Sequence, residues 1–329
     1  MSFLPPPSRG RGFALAGRAV LVAFAMALFG LSGCAAAPSG ATADGSIRSA
    51  QSGGRVIDHE LGETEVPETP VRVVALEFSF VQALDSLDVV PVGIADDDDP
   101  ARIAQLLGKE IDYASVGTRL EPNLELVSSL RPDLIIADVT RHAAIYDQLR
   151  QIAPTIVLNS WEGSYADIKA SVVTIADALG DQAAGEQAVA EHEARMAEYA
   201  ARIPADEDRR FLLAVATPDA MSLHTSSAFT GSVFEALGVT AAMESDQPVE
   251  SGVGIERLID VDPDVLFVAV DAPGTVLEQW SKSSVWASMS AARDDAVYEV
   301  NRNQYARFRG LQTAELIAED IVENIAGDH

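Results

Sequence analysis

Two runs of short β-branched segments alternating with helix-patterned segments, separated by one almost unbroken stretch of helix formers, limit the folds open to this chain. In the first run, residues 72–76, 90–94, 134–137 and 155–158 are strand-like, with helical patterns at 80–87 and 143–152. A hairpin is expected before them, around residues 55–65. The second run places strands at 211–216, 265–270 and 296–300, with helices at 231–237 and 311–325. Alternation of this kind predicts parallel α/β layers. Between the runs, Ile168, Val172, Ile175 and Leu179 recur at helical spacing and Gly180 supplies a stop. A helix over residues 164–179 is about 24 Å long at 1.5 Å per residue. That is enough to cross from one lobe to another.

The halves also resemble each other. Glu125 lies seven residues before Pro132-Asp133, and Glu256 seven before Pro263-Asp264, each pair leading into an apolar strand. The matching order points to duplication and to a cleft between two similar lobes. The division expected is 55–162 for the N-terminal α/β lobe, 163–182 for the bridging helix and 183–329 for the C-terminal α/β lobe.

The N-terminus carries a different signal. Arg9, Arg11 and Arg18 precede an apolar run that ends at Leu31-Ser32-Gly33-Cys34, and Cys34 is the only cysteine. The apolar stretch 19–31 is too short to span a bilayer core of about 30 Å. The layout is that of a cleaved export signal over residues 1–33. The small residue before Cys34 makes a lipobox, and the segment resembles that of bacterial lipoproteins, which are cut before this cysteine and carry lipid on its thiol. Residues 34–54, rich in Ala, Gly and Ser, read as a flexible tether. With no second cysteine, no intrachain disulfide helps the fold. Loss of the three arginines leaves 20 basic against 50 acidic residues, formally −30. Such a field disfavours nucleic acid and anionic lipid surfaces, so any cluster of arginines is arranged against its background.

Four stretches carry a wider resemblance: RVVALEFSFVQALDSLDVVPVGIADD, VGTRLEPNLELVSSLRPDLIIADVTRHAAIYDQLRQIAPT, HTSSAFTGSVFEALGV and VYEVNRNQYARFRGLQTAELIAEDI. Together they resemble the substrate-binding lipoproteins of iron-siderophore ABC transporters, most of all the ferric-citrate and hydroxamate types. The resemblance implies two α/β lobes with mainly parallel sheets joined by one long helix, little hinge closure, and a ligand held between the lobes. It implies a monomer without catalysis, with no cofactor of its own: Fe(III) arrives already inside its siderophore chelate and passes to the permease subunits of an importer.

Ligands of α/β layers bind beyond the carboxyl ends of the strands. Glu77-Phe78-Ser79, Gly117-Thr118-Arg119 and Thr140-Arg141-His142 occupy such positions, as do Arg302, Arg307 and Arg309 before the last helix. A planar, permanently charged guanidinium fork suits the oxygens of an anionic chelate. Arg119, Arg141, Arg307 and Arg309 are the expected contacts, with Arg302 the weaker candidate. Glu77 is expected to orient Arg119 or Arg141. His142 serves equally well as scaffold or contact, and Phe78, Trp161 and Phe308 as cleft lining or core. In the resembling family one glutamate per lobe docks on permease arginines, a role the match carries onto Glu125 and Glu256, with Glu235 as substitute.

Other readings remain at this point. A protein binding a bare metal ion needs several converging His, Asp or Glu side chains. The five histidines, His59, His142, His192, His224 and His329, show no paired spacing, and residues 96–99, four aspartates, lack a calcium-loop pattern and read as a solvated loop. Haem or a cobalamin-like ligand has no distinctive motif here. A lipid-anchored hydrolase would use Ser226 or Ser227 with His224, but neither serine lies in a Gly-x-Ser-x-Gly elbow.

Overall fold

The computed structural model describes residues 54–326; the signal, most of the tether and Cys34 lie outside them. Strands are β1 (Gly54–His59), β2 (Gly62–Pro67), β3 (Val73–Ala75), β4 (Gly93–Ile94), β5 (Ala114–Ser115), β6 (Leu134–Asp138), β7 (Thr155–Leu158), β8 (Arg210–Ala216), β9 (Met221–His224), β10 (Thr240–Ala241), β11 (Val249–Val253), β12 (Val265–Val270) and β13 (Val297–Asn301). β1 and β2 form the expected hairpin. The first sheet runs β5-β4-β3-β6-β7 and is wholly parallel. Strands β3, β6 and β7 are largely apolar and buried throughout because both faces are covered. Val73 and Ala75 enter one core with Phe78, Phe80 and Leu84, while Val74 and Leu76 enter another with Val116, Ile135 and Leu149.

The second sheet is mixed. Its order is β11-β9-β8-β12-β13, with β10 also on β8. β8, β10, β12 and β13 are parallel, but β9 folds back antiparallel on β8 and β11 on β9. The antiparallel edge places a strand turn where a wholly parallel layer would need a crossover helix.

Helix Tyr165–Leu179 joins the lobes. Ser164 and Asp167 form a capping box at its start, and Gly180, at φ 99°, ends it in a left-handed turn. A side chain at Gly180 would also meet the Glu68 carbonyl at 2.8 Å. Tyr165 and Ile168 sit in the second lobe's core, whereas Val172, Ile175 and Ala178 sit in the first's. Helix Gln182–Ala200 returns beside it, with Ala188 and Val189 against the first core and Met196 in the second. The last helix, Leu311–Ala326, does the same through Leu311 and then Ala314, Ile317 and Ile321.

The internal repeat has a structural counterpart. Arg72 immediately precedes β3, its amide bonds the Asp133 carboxylate at 2.7 Å, and its Nε bonds the carbonyls of Leu130 and Arg131, which follow helix Leu124–Ser129. Arg210 opens β8, its amide bonds Asp264 at 2.9 Å, and its guanidinium reaches the carbonyls of Val261 and Asp262 at the end of helix Ile255–Val261. Arg131 and Asp262 both take positive φ, 48° and 45°. One interlock therefore recurs in each lobe, at the residues where the two sequences match.

Candidate functional site

Five parallel strands of the first lobe end on one side, and the residues just past their ends form one wall. Past β3, Glu77 is buried at 1% exposure. Its Oε2 accepts from Arg119 Nη1 at 3.2 Å, and Arg141 Nε stands 2.8 Å from its Oε1 without hydrogen-bond alignment. Past β4, Asp97 forks onto Arg119, accepting from Nε at 3.1 Å and Nη2 at 2.8 Å. Burial would raise the Asp97 carboxyl, but the Arg119 bonds and the Arg102 charge outweigh it and hold it low. Burial pushes the Glu77 carboxyl up, against the pull of Arg119 and Arg141. Beneath Arg119 lies the ring of Phe78, 3.9 Å away. Asp138, the last residue of β6, accepts from the amides of Arg141, Ser160 and Trp161, and so fixes two loops at once.

The second wall carries its charge differently. Residues 303–307 form a short π-helical turn after β13. It brings Arg302 and Arg307 onto the same carboxylate, that of Asp271 past β12, at 2.7 Å and at 2.5 and 2.6 Å. These bonds, chiefly those from Arg307, hold the Asp271 carboxyl low. Arg309 lies deeper, with its Nη1 bonded to the Arg307 carbonyl and its Nε buried without a partner among the described residues. Burial lowers its pKa to about 10, so it stays charged at neutral pH. Arg141 and Arg309 flank the Trp161 ring, at 3.9 and 5.0 Å from its centroid. His224 ends β9 beside them, and its ring has no hydrogen-bond partner among the described residues. Burial, with Arg309 and Arg302 nearby, drives its pKa down to about 3, which makes it a neutral imidazole.

Between the walls runs a cleft of about 380 Å³, lined by Arg119, Arg141, Trp161 and Glu162 from the first lobe. From the second come Val215, Ser222, His224, Gln247, Pro248, Val249, Ser251, Arg302, Ala306, Arg307 and Arg309. The arrangement presents guanidinium donors and an aromatic face to an anion.

Comparison with known proteins agrees with this architecture. A family model described as periplasmic binding protein matches residues 73–303. The chain is 42% identical over 307 residues to the Fe(3+)-citrate-binding protein YfmC of Bacillus subtilis, covering 93% of this chain and 96% of that one. It is 36% identical over 268 residues to the Fe(3+) dicitrate-binding periplasmic protein FecB of Escherichia coli, covering 81% and 89%. The chain belongs to the periplasmic binding protein family. Among solved structures, Staphylococcus aureus SirA complexed with staphyloferrin B superposes with a TM-score of 0.72 at 23% identity, covering 83% of this chain and 98% of that one. The two-lobe fold read from the sequence is thus the fold of this family.

Within that fold the sequence-derived site residues separate into two groups. Arg119, Arg141, Trp161, Arg307 and Arg309 line the cleft, as does Arg302. Glu77, Phe78 and His142 lie behind them, all buried. His142 is scaffold: Nδ1 accepts from the Asp138 amide at 2.9 Å, so Nε2 donates to the Arg119 carbonyl at 2.8 Å, and neither nitrogen is left for a ligand. Phe308 is core, edge-on to Phe78. Glu125 and Glu256 each stand exposed in the first turn of a helix, in equivalent places; Glu235 is exposed near the end of helix Phe229–Ala236.

One reading of the sequence changes. Residues 96–99 are a solvated loop only at Asp98 and Asp99: Asp96 is fully buried and accepts from Tyr113 and Ser115, and Asp97 holds Arg119. Among the described residues no cluster of three or more His, Cys, Asp or Glu side chains could hold a metal ion. The contributions of His224, Gln247 and Ser251 were missed, because β9 and β11 are short and irregular and their pairing is set by distant residues. Ser227 bonds Thr225 Oγ1 at 3.2 Å, and no hydrogen bond joins His224 to either serine.

Proposed function

We propose that this protein is an extracytoplasmic receptor for a ferric chelate bearing carboxylates, of the ferric citrate class, and that it delivers this cargo to an ABC importer. The observation that carries the reading is the set of arginines facing one cleft in a chain of net charge −27. Arg309 keeps its buried Nε unbonded beside the cleft, a costly arrangement unless a ligand completes it. The names of YfmC and FecB point to the same ligand class. Arg119, Arg141, Arg307 and Arg309 would bond the chelate oxygens and Trp161 would cover its apolar edge. Glu77, Phe78 and His142 would hold the first wall in place.

In the same reading residues 55–162 and 183–329 are the lobes and 163–182 the bridge. Glu125 and Glu256 dock on the permease subunits. Residues 1–33 are removed and Cys34 carries the lipid that anchors a monomer to the membrane. The iron is cargo, fully coordinated on arrival, so the protein need supply no metal ligand.

Trp161 reports directly on the cleft. Titration of the intrinsic fluorescence with ferric citrate, a ferric hydroxamate, a ferric catecholate and iron-free citrate should give saturable quenching with ferric citrate and none in Trp161→Phe. Equal responses to iron-free citrate, or none to any ferric chelate, would overturn the assignment.

A further inference from the structure

The helices behind the cleft tie the lobes together covalently, but a second connection crosses between them beside the cleft. Gln105, near the end of helix Pro100–Leu107 in the first lobe, accepts through Oε1 from Asn303 Nδ2 at 2.7 Å. Its own Nε2 points at Asn301 Oδ1, 3.4 Å away. Asn301 Oδ1 in turn accepts from the amides of Asn303 and Gln304, and so caps the π-helical turn. The other end of the Asn303 carboxamide accepts from Arg307 Nη1 at 2.8 Å. One carboxamide of the first lobe therefore holds the turn that presents Arg302 and Arg307 to the cleft.

We propose that Gln105 is a cross-lobe latch and a positioning residue for Arg307: by bonding Asn303 it fixes both the spacing of the lobes at the cleft and the direction of the Arg307 guanidinium, and ligand leaves when this bond opens. The chemistry fits the role. A neutral amide pair exposed at its margin closes and opens without the large desolvation cost of an ion pair, and each bond contributes modestly. Asn303 bonds Gln105 through Nδ2 and Arg307 through Oδ1 of one planar amide, so loss of the first bond frees the amide to rotate and is felt at that arginine. A π-helical turn, uncommon in proteins and frequent at functional sites, has room for this adjustment.

The inference rests on the proposed cleft ligand, and its test separates the two. In the full chain, Gln105→Ala and Asn303→Ala should each raise the dissociation rate of ferric citrate by roughly two- to tenfold, the range of one such bond. Their double variant should do no more than either alone. Gln105→Asn combined with Asn303→Gln, which keeps the total reach, should restore slow release. Without ligand, hydrogen exchange across residues 301–309 should accelerate in Gln105→Ala and recover in the exchanged pair. Unchanged exchange in Gln105→Ala overturns the latch whatever ferric citrate does, and so do additive effects of the two alanine variants. Failure of the unaltered chain to bind ferric citrate overturns the proposed ligand instead, and exchange then decides the latch alone.

Discussion

The two walls of the cleft hold similar side chains in opposite ways. In the first lobe Arg119 is 5% exposed and each nitrogen of its fork is anchored by a carboxylate, Glu77 or Asp97, leaving the second N–H of each Nη for a ligand. In the second, Arg302 and Arg307 share Asp271, whose side chain is 39% exposed, and water reaches all three. A buried pair is fixed before the ligand arrives, because breaking it leaves an uncompensated charge. An exposed fork can exchange partners at little cost. One wall is a rigid template, and the other is adjustable.

Removing a carboxylate from each wall tests that contrast most strongly. Glu77→Gln should cost about 3–5 kcal/mol of stability, since it takes the carboxylate from Arg141 and from Nη1 of the buried Arg119, while Asp271→Asn should cost less than about 1 kcal/mol. Chemical denaturation of both variants measures the difference; equal losses would erase the distinction between the walls.

Acid should separate the walls next. His224 in the folded chain titrates near 3, far below its ordinary value of 6.5. As pH falls below about 6.5 the unfolded chain takes up a proton that the folded chain refuses, so stability drops with acidification. Between pH 7 and 5 the drop due to His224 should reach about 2 kcal/mol, and His224→Gln should lack it. Denaturation midpoints at the two pH values, compared between the variant and the unaltered chain, give the answer.

Affinity offers a sharper division. Arg141→Ala and Arg309→Ala should each weaken ferric citrate binding roughly tenfold or more, as expected for a charge-assisted bond. Asp271→Asn should strengthen it by about two- to fivefold, because a competing carboxylate is gone. Weaker binding in Asp271→Asn would mean that this carboxylate organises its arginines as Glu77 does. The smallest effect belongs to the outer surface. Glu125→Ala with Glu256→Ala should leave the dissociation constant unchanged and cost no more than about 1 kcal/mol for each helix start, yet impair iron uptake in cells. Normal uptake would remove these residues from the docking surface.

How far the sequence reveals this molecule depends on whether a feature is local. Strands β7 and β12 coincide with their apolar runs, and helix Tyr165–Leu179 with its capped period, because burial on both faces or a strong start and stop leaves a local trace. The arginines of the first wall were found because they follow such strands. The antiparallel pair β9 and β11 left little trace: Met221–His224 and Val249–Val253 are short, and a bulge interrupts their pairing. Asp96 escaped notice for a related reason. A run of aspartates reads as polar surface, and only the folded loop brings Tyr113 and Ser115 to it.

The three helices shared by the two cores carry a consequence for how the chain is made. Phe308 and Leu311 belong to the core of the first lobe, although they follow the whole of the second lobe's sheet. A chain emerging from its N-terminus first cannot complete even its leading half until its last segment is free. Until then the apolar surface that Phe308 and Leu311 cover in the first core stays open. The late position of this one segment thus makes maturation a single final event instead of two successive ones.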